Sequence, residues 1–134
     1  MCDCVFCERD KIKTDFVYED DLVMAFPDID PINEGHILVV PREHYLDMDD
    51  VPDETLARLI MVSKKVVSAL KETYKPDGYG IMQNGGAFND TGHFHLHVFP
   101  RYKGDGFGWT FGESKAVNQE VAKKIRDCIR RDFK

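Results

Sequence analysis

The chain has 134 residues and a mass of 15.4 kDa, which suits one compact domain over residues 1–134 and leaves little room for a second. Its 43% apolar and 31% charged residues exclude collagen-like, disordered and membrane-embedded classes, and no apolar run nears the ~18–20 residues of a spanning helix. A formal charge of −6, from 24 acidic against 18 basic side chains, argues against a polynucleotide partner but allows a small anion held on local backbone amides.

The N-terminus, Met1-Cys2-Asp3-Cys4, lacks the basic-then-apolar build of a secretory signal, so a cytoplasmic location is expected. Cys4-Val5-Phe6-Cys7 has the two-residue gap that lets two thiolates reach one tetrahedral ion. A redox pair is the alternative, but it would sit at a helix start in a thioredoxin-like pattern, which this chain lacks. Residues 15–18 and 22–26 read as short strands joined at the acidic corner Glu19-Asp20-Asp21, and Pro27 to Pro31 has turn chemistry. Residues 35–40 form a continuous apolar strand carrying His36 and stopped by Pro41. By itself His36 reads as a core histidine.

The acidic run 47–53 is a solvated approach to the clearest helix, over 52–74. Pro52 suits its first position, Asp53 and Glu54 suit the dipole of its first turn, and Leu56, Leu59, Ile60, Val66, Val67 and Leu70 make one buried stripe. Two more strands are expected at 78–82 and 93–99. A second amphipathic helix is expected over about 114–133, with Val121, Ile125, Cys128, Ile129 and Phe133 on its apolar side and Cys128 in the core. Trp109 reads as a packing residue first, with stacking on a base or covering a dimer edge as the alternatives. Strands in hairpin-like succession around one long helix predict an α+β fold with a mostly antiparallel sheet.

The most informative segment is His93-Phe94-His95-Leu96-His97-Val98-Phe99. On a strand the three imidazoles share one face, about 6–7 Å apart, while Phe94, Leu96 and Val98 share the other. A solvated face needs no histidine, since Lys, Glu, Ser or Thr would serve as well. Two functional readings follow. Strand histidines can bind zinc or iron, or a neutral imidazole can attack phosphorus while its neighbours position or protonate. The preceding loop, Gln83 to Gly92, is rich in Gly and amide side chains able to face phosphate oxygens, and the chain has no Walker A or dinucleotide fingerprint.

His93 to Phe99 resembles the signature of the histidine triad family, three histidines alternating with apolar residues. The likeness extends to Asn33–His44, to Phe26-Pro27-Asp28-Ile29 and to the loop before the triad, covering residues from about 4 to 110. It implies a five-stranded antiparallel sheet with two helices, commonly paired as a homodimer. It also implies nucleotidyl hydrolysis or transfer on a purine nucleotide substrate such as an adenosine phosphoramidate or a dinucleoside polyphosphate. By that resemblance His95 attacks the α-phosphorus, His97 binds phosphate or helps the leaving group, and His36 supports the triad. Asp28 and Ile29 lie at the nucleoside, and Asn84 and Asn89 near the phosphates. Asn89 stands where many relatives carry Gln, and the loop is shorter. The zinc-bearing branch implies a structural zinc on Cys4, Cys7, His44 and His93, with Cys2 spare. Two other readings compete, an open-site metalloenzyme on the strand histidines and a non-enzymatic nucleotide-binding or interaction protein.

Overall fold

A computed structural model describes residues 4–133; Cys2 lies outside the described residues. Five strands form one sheet: β1 (Tyr18–Glu19), β2 (Val23–Pro27), β3 (Ile37–Pro41), β4 (Gly78–Met82) and β5 (Leu96–Arg101), in the order β1-β2-β3-β5-β4 with every pairing antiparallel. Two helices complete it, α1 (Asp53–Tyr74) between β3 and β4 and α2 (Val121–Asp132) after β5. The α+β architecture expected from the sequence is the one observed. No helix among the described residues is long and apolar enough to cross a membrane.

The continuous apolar run in β3 follows from burial on both faces. On one face α1 packs Leu59, Val62, Val66 and Leu70 against Val23, Ala25, Ile37, Val39, Leu96 and Val98. On the other, Met24, Phe26, Leu38 and Val40 cluster with Phe6 from the N-terminal segment. That segment also covers histidines on this face, the Phe6 ring packing edge-on against His93 and His95 with centroids 5.8 and 5.7 Å away.

Several expectations are corrected. The first strand is Tyr18–Glu19 rather than 15–18, because Asp20 Oδ1 accepts the Leu22 and Val23 amides and centres the turn there. In α1 the buried stripe runs Thr55, Leu59, Val62, Val66, Leu70, and Ile60 is exposed, since one residue past Leu59 turns by about 100° away from the sheet. The second helix begins at Val121 instead of about 114, with the Asn118 side chain accepting the Glu120 amide just before it. None of its residues is buried, so Cys128 is exposed and not in the core. Trp109 is 88% exposed and does not pack.

Gly80 in β4 positions the site indirectly. A Cβ there would lie 2.6 Å from Phe99 Cζ, so glycine lets the Phe99 ring lie across β4, with its centroid 5.1 Å from that of His36.

Candidate active site and metal centre

The expected strand over 93–99 is regular only from Leu96. Extending the register that pairs Leu38 with His97 would set Pro41 against Phe94. Pro41 has no N–H for a ladder, and its carbonyl accepts His93 Nε2–H instead (2.8 Å), while the Phe94 amide donates to Tyr45 O (2.6 Å). The alternation survives the break: Phe94, Leu96 and Val98 sit under α1. His95 and His97 lean together with centroids 4.8 Å apart, closer than the 6–7 Å repeat because strand side chains tilt along the chain.

Each imidazole has a tautomer assigned by its partners. His95 is 3% exposed, and its Nδ1–H donates to His93 O (2.8 Å), leaving Nε2 with a lone pair. Thr91 holds this turn by donating its hydroxyl to the same carbonyl (3.1 Å). His36 Nδ1 accepts the Ile32 amide (3.0 Å), so Nε2 carries the proton and donates it to His97 Nδ1 (2.9 Å). His97 is left with an N–H at Nε2. Asp28 Oδ2 stands 3.5 Å from His36 Nε2 and 3.8 Å from His97 Nδ1, while its Oδ1 accepts the Asp30 amide.

Burial pushes His97 down to about 4, helped by the neighbouring His95 and His36, with Asp28 and Asp90 opposing. Burial also lowers His36, against the pull of Asp28 and Asp30. Both rings are therefore neutral near pH 7, and His97 presents a hydrogen-bond donor and not an acidic proton.

A cavity of about 370 Å³ opens onto these groups, a size ordinary for a small-molecule site. Its walls include Phe6, Ile12, Phe26, Leu38 and Ile29, and its polar residues include Asp28, Asp90, Thr91, His95 and His97. Of the residues named from sequence, Asp28, Ile29, His95 and His97 line it together, and His36 lies behind His97. Asn84 and Asn89 do not line it. Asn89 Oδ1 accepts the Thr91 and Gly92 amides and its Nδ2 donates to Leu46 O, so that amide organises the loop, where Gly92 has φ +67°. Asp90 and Thr91, not singled out before, adjoin the triad in sequence. Phe6, Ile12 and Leu38 gave no signal beyond apolarity.

The second constellation joins Cys4, Cys7, His44 and His93. Cys4 Sγ and Cys7 Sγ lie 3.3 and 3.5 Å from His93 Nδ1, Cys7 Sγ lies 3.2 Å from His44 Nδ1, and all four ligand atoms fall within 4.8 Å of one another. Bonds of about 2.0–2.3 Å to a tetrahedral ion set ligand atoms roughly 3.3–3.8 Å apart, so the donor set fits zinc. His93 offers Nδ1 because its Nε2–H is taken by Pro41 O, the carbonyl orientation common to metal-bound histidines. The triad is thereby divided: His93 faces the cysteines, and His97 groups with Asp28 and His36.

An antiparallel five-stranded sheet, backed by one long helix and presenting alternate histidines to a cavity, defines an α+β domain of the histidine triad type. A family model of the HIT domain matches residues 9–104, and the chain belongs to the HIT family. It is similar to the adenosine 5′-monophosphoramidase of Schizosaccharomyces pombe, 34% identical over 135 residues covering 92% of this chain and 98% of that one. Among solved structures it resembles a HIT family protein from Bacillus anthracis, with a TM-score of 0.85, 33% identity and 98% of both chains covered. It also resembles a Zn-bound histidine triad family protein from Mycobacterium smegmatis, with a TM-score of 0.72, 32% identity, and 96% of this chain and 94% of that one covered.

Proposed function

We propose that the protein is a nucleotidyl hydrolase or transferase acting at the α-phosphorus of nucleoside phosphoramidates or dinucleoside polyphosphates. The observation that carries this reading is the His95 ring, whose Nδ1–H is held by His93 O while Nε2 keeps its lone pair beside the cavity. Nε2 attacks phosphorus, the bond from phosphorus to the leaving group breaks, and the nucleotidyl group stays on His95. Attack makes the ring cationic, and the His93 carbonyl stabilises that charge through Nδ1–H. Water then attacks the same phosphorus and the N–P bond breaks, releasing the nucleoside monophosphate. His97 Nε2–H donates a hydrogen bond to a phosphoryl oxygen or the leaving atom. His36 keeps that proton on Nε2 by donating to His97 Nδ1. The apolar walls Phe6, Ile12, Phe26 and Leu38 suit a purine base, with Asp28 and Ile29 beside the ribose; the carboxylate accepts hydroxyl hydrogens.

Cys4, Cys7, His44 and His93 would hold one zinc ion. Four protein ligands would close the coordination sphere, so the ion would act as a structural clamp between the N-terminal segment and the chain leading into β5. That clamp fixes His93 O, on which the His95 tautomer depends. The S. pombe phosphoramidase and the Zn-bound M. smegmatis protein are consistent with both parts of this reading. The split of the triad between two groups speaks against an open metal site on its three histidines.

The chain is also proposed to work as a homodimer in the cytoplasm. Supporting the dimer are Tyr79 and Ile81, exposed on the edge strand β4, and the exposed Val121, Ile125 and Ile129 of α2.

Incubation with adenosine 5′-phosphoramidate or diadenosine tetraphosphate should release AMP, and His95→Ala should abolish release. Intact mass measured with a slow substrate should rise by one nucleotidyl group. Wild-type turnover in His95→Ala would overturn the assignment, whereas tight nucleotide binding without turnover would favour a binding protein.

A further inference from the structure

Asp90 brings a carboxylate oxygen to 3.8 Å from His95 Nε2, the nitrogen that bonds phosphorus in the reaction above. Its side chain is 87% exposed, and among the described residues that imidazole is its one ion-pair neighbour. A carboxylate in this place opposes the approach of an anion, so it bears on which substrate the site accepts. Asp28 and Asp30 line the same cavity and add to the negative charge. The two cations among the lining residues come from the N-terminal segment and are engaged elsewhere: Lys11 pairs with Glu8 (3.6 Å), and Lys13 donates to Asp10 O (3.0 Å). Among the described residues no Lys or Arg pairs with Asp90 to neutralise it.

We propose that Asp90 is a specificity-determining residue that selects the leaving group, favouring departure of an amine over departure of a phosphate chain. The proposal rests on the nucleotidyl-histidine reading and narrows its two substrate classes to phosphoramidates. In a phosphoramidate, the amidate nitrogen gains positive charge by taking a proton from solvent as the Nε2–P bond forms and the P–N bond breaks; the bonding pair stays on nitrogen, which leaves as the neutral amine and takes a second solvent proton to become an ammonium ion. The carboxylate attracts that developing cation. In a dinucleoside polyphosphate, the P–O pair stays on an oxygen of the departing chain, whose negative charge grows within the field of Asp90. The leaving atom departs on the far side of phosphorus from Nε2, and at a separation of roughly 7 Å one unit charge acting on another changes a rate by roughly two- to threefold even at the dielectric constant of water. A leaving chain with several charges is disfavoured by more, and salt weakens the effect at so exposed a side chain.

The test compares kcat/KM for an AMP alkylamidate and for diadenosine tetraphosphate in wild type and Asp90→Asn, at low and high salt. The expected result is a wild-type preference for the amidate that shrinks at least about two- to threefold in Asp90→Asn, mainly through faster polyphosphate cleavage. Asp90→Glu should keep the preference, and added salt should narrow it in wild type more than in Asp90→Asn. An equal preference in wild type and Asp90→Asn, or a wild-type preference for the polyphosphate, would overturn the proposal. Turnover of neither substrate by wild type, or full turnover by His95→Ala, would instead overturn the underlying reading and this proposal with it.

Discussion

His36 Nε2 stands 2.9 Å from His97 Nδ1, and the proton between them belongs to His36. The Ile32 amide occupies the other nitrogen of His36, so the ring has one hydrogen to give and gives it to His97. A backbone amide in the turn before β3 thereby decides which nitrogen of a β5 side chain carries a hydrogen toward the cavity.

That chain of donors makes His36 a positioning residue. His36→Ala removes the donor and frees His97 to place its hydrogen on Nδ1, toward Asp28. We expect kcat to fall about 10–100-fold, the range seen when an orienting partner is lost, with little change in KM. Steady-state kinetics on the phosphoramidate checks this, and a rise in KM at constant kcat would point to lost packing instead.

Folding stability should decline in mild acid. Burial holds His97 at about 4 in the folded chain, against an ordinary 6.5, and lowers His36 as well. Between pH 6.5 and 4 the unfolded chain binds protons that the folded chain refuses, so stability is full above about pH 6.5 and falls as pH drops. For His97 alone the loss comes to about 3 kcal/mol at pH 4. Urea midpoints from pH 7.5 to 4 should show this fall, and His97→Asn should flatten it.

Elemental analysis should find about one zinc per chain, and the double variant Cys4→Ser, Cys7→Ser should lose it. The metal-free protein should melt lower because the cluster joins the N-terminal segment, His44 and His93. Activity should fall along with it as His93 O loses its anchor. Zinc content unchanged in the double variant would refute the assignment.

α2 should lie against a second copy of the chain. Twelve residues are too few for a stable isolated helix, yet its apolar residues are about half exposed. Its five basic side chains against two acidic ones suit the acidic remainder of the molecule. Sedimentation should give a dimer at micromolar concentration, and Ile125→Asp with Ile129→Asp should shift it toward monomer. A wild-type monomer would refute the pairing.

The elements and their order were legible in the sequence wherever a period repeated. The stripe of α1, the apolar run of β3 and the alternation through the triad each report burial of one or both faces, and burial selects residue type directly. Boundaries slipped where local chemistry overrode the pattern: Asp20 recentred a turn, and Pro41 ended a ladder. The helical period of α2 was readable, but periodicity shows that a helix has an apolar face and not what covers it, so Cys128 is exposed where a core position was expected.

The sequence by itself determined which residues could do chemistry. Three histidines at period two and a Cys-x-x-Cys have few other uses. Only the tertiary structure decided how they divide, because the partners lie far apart along the chain. His93 turns to cysteines 86 and 89 residues away, His97 turns to His36 across the β3–β5 pairing, and His95 keeps its Nε2 lone pair for the cavity. Hydrogen bonding settles that division. Each imidazole nitrogen holds one proton or one lone pair, and the backbone groups that claim the first nitrogen (Pro41 O, His93 O and the Ile32 amide) are set by the fold and leave no trace in residue type.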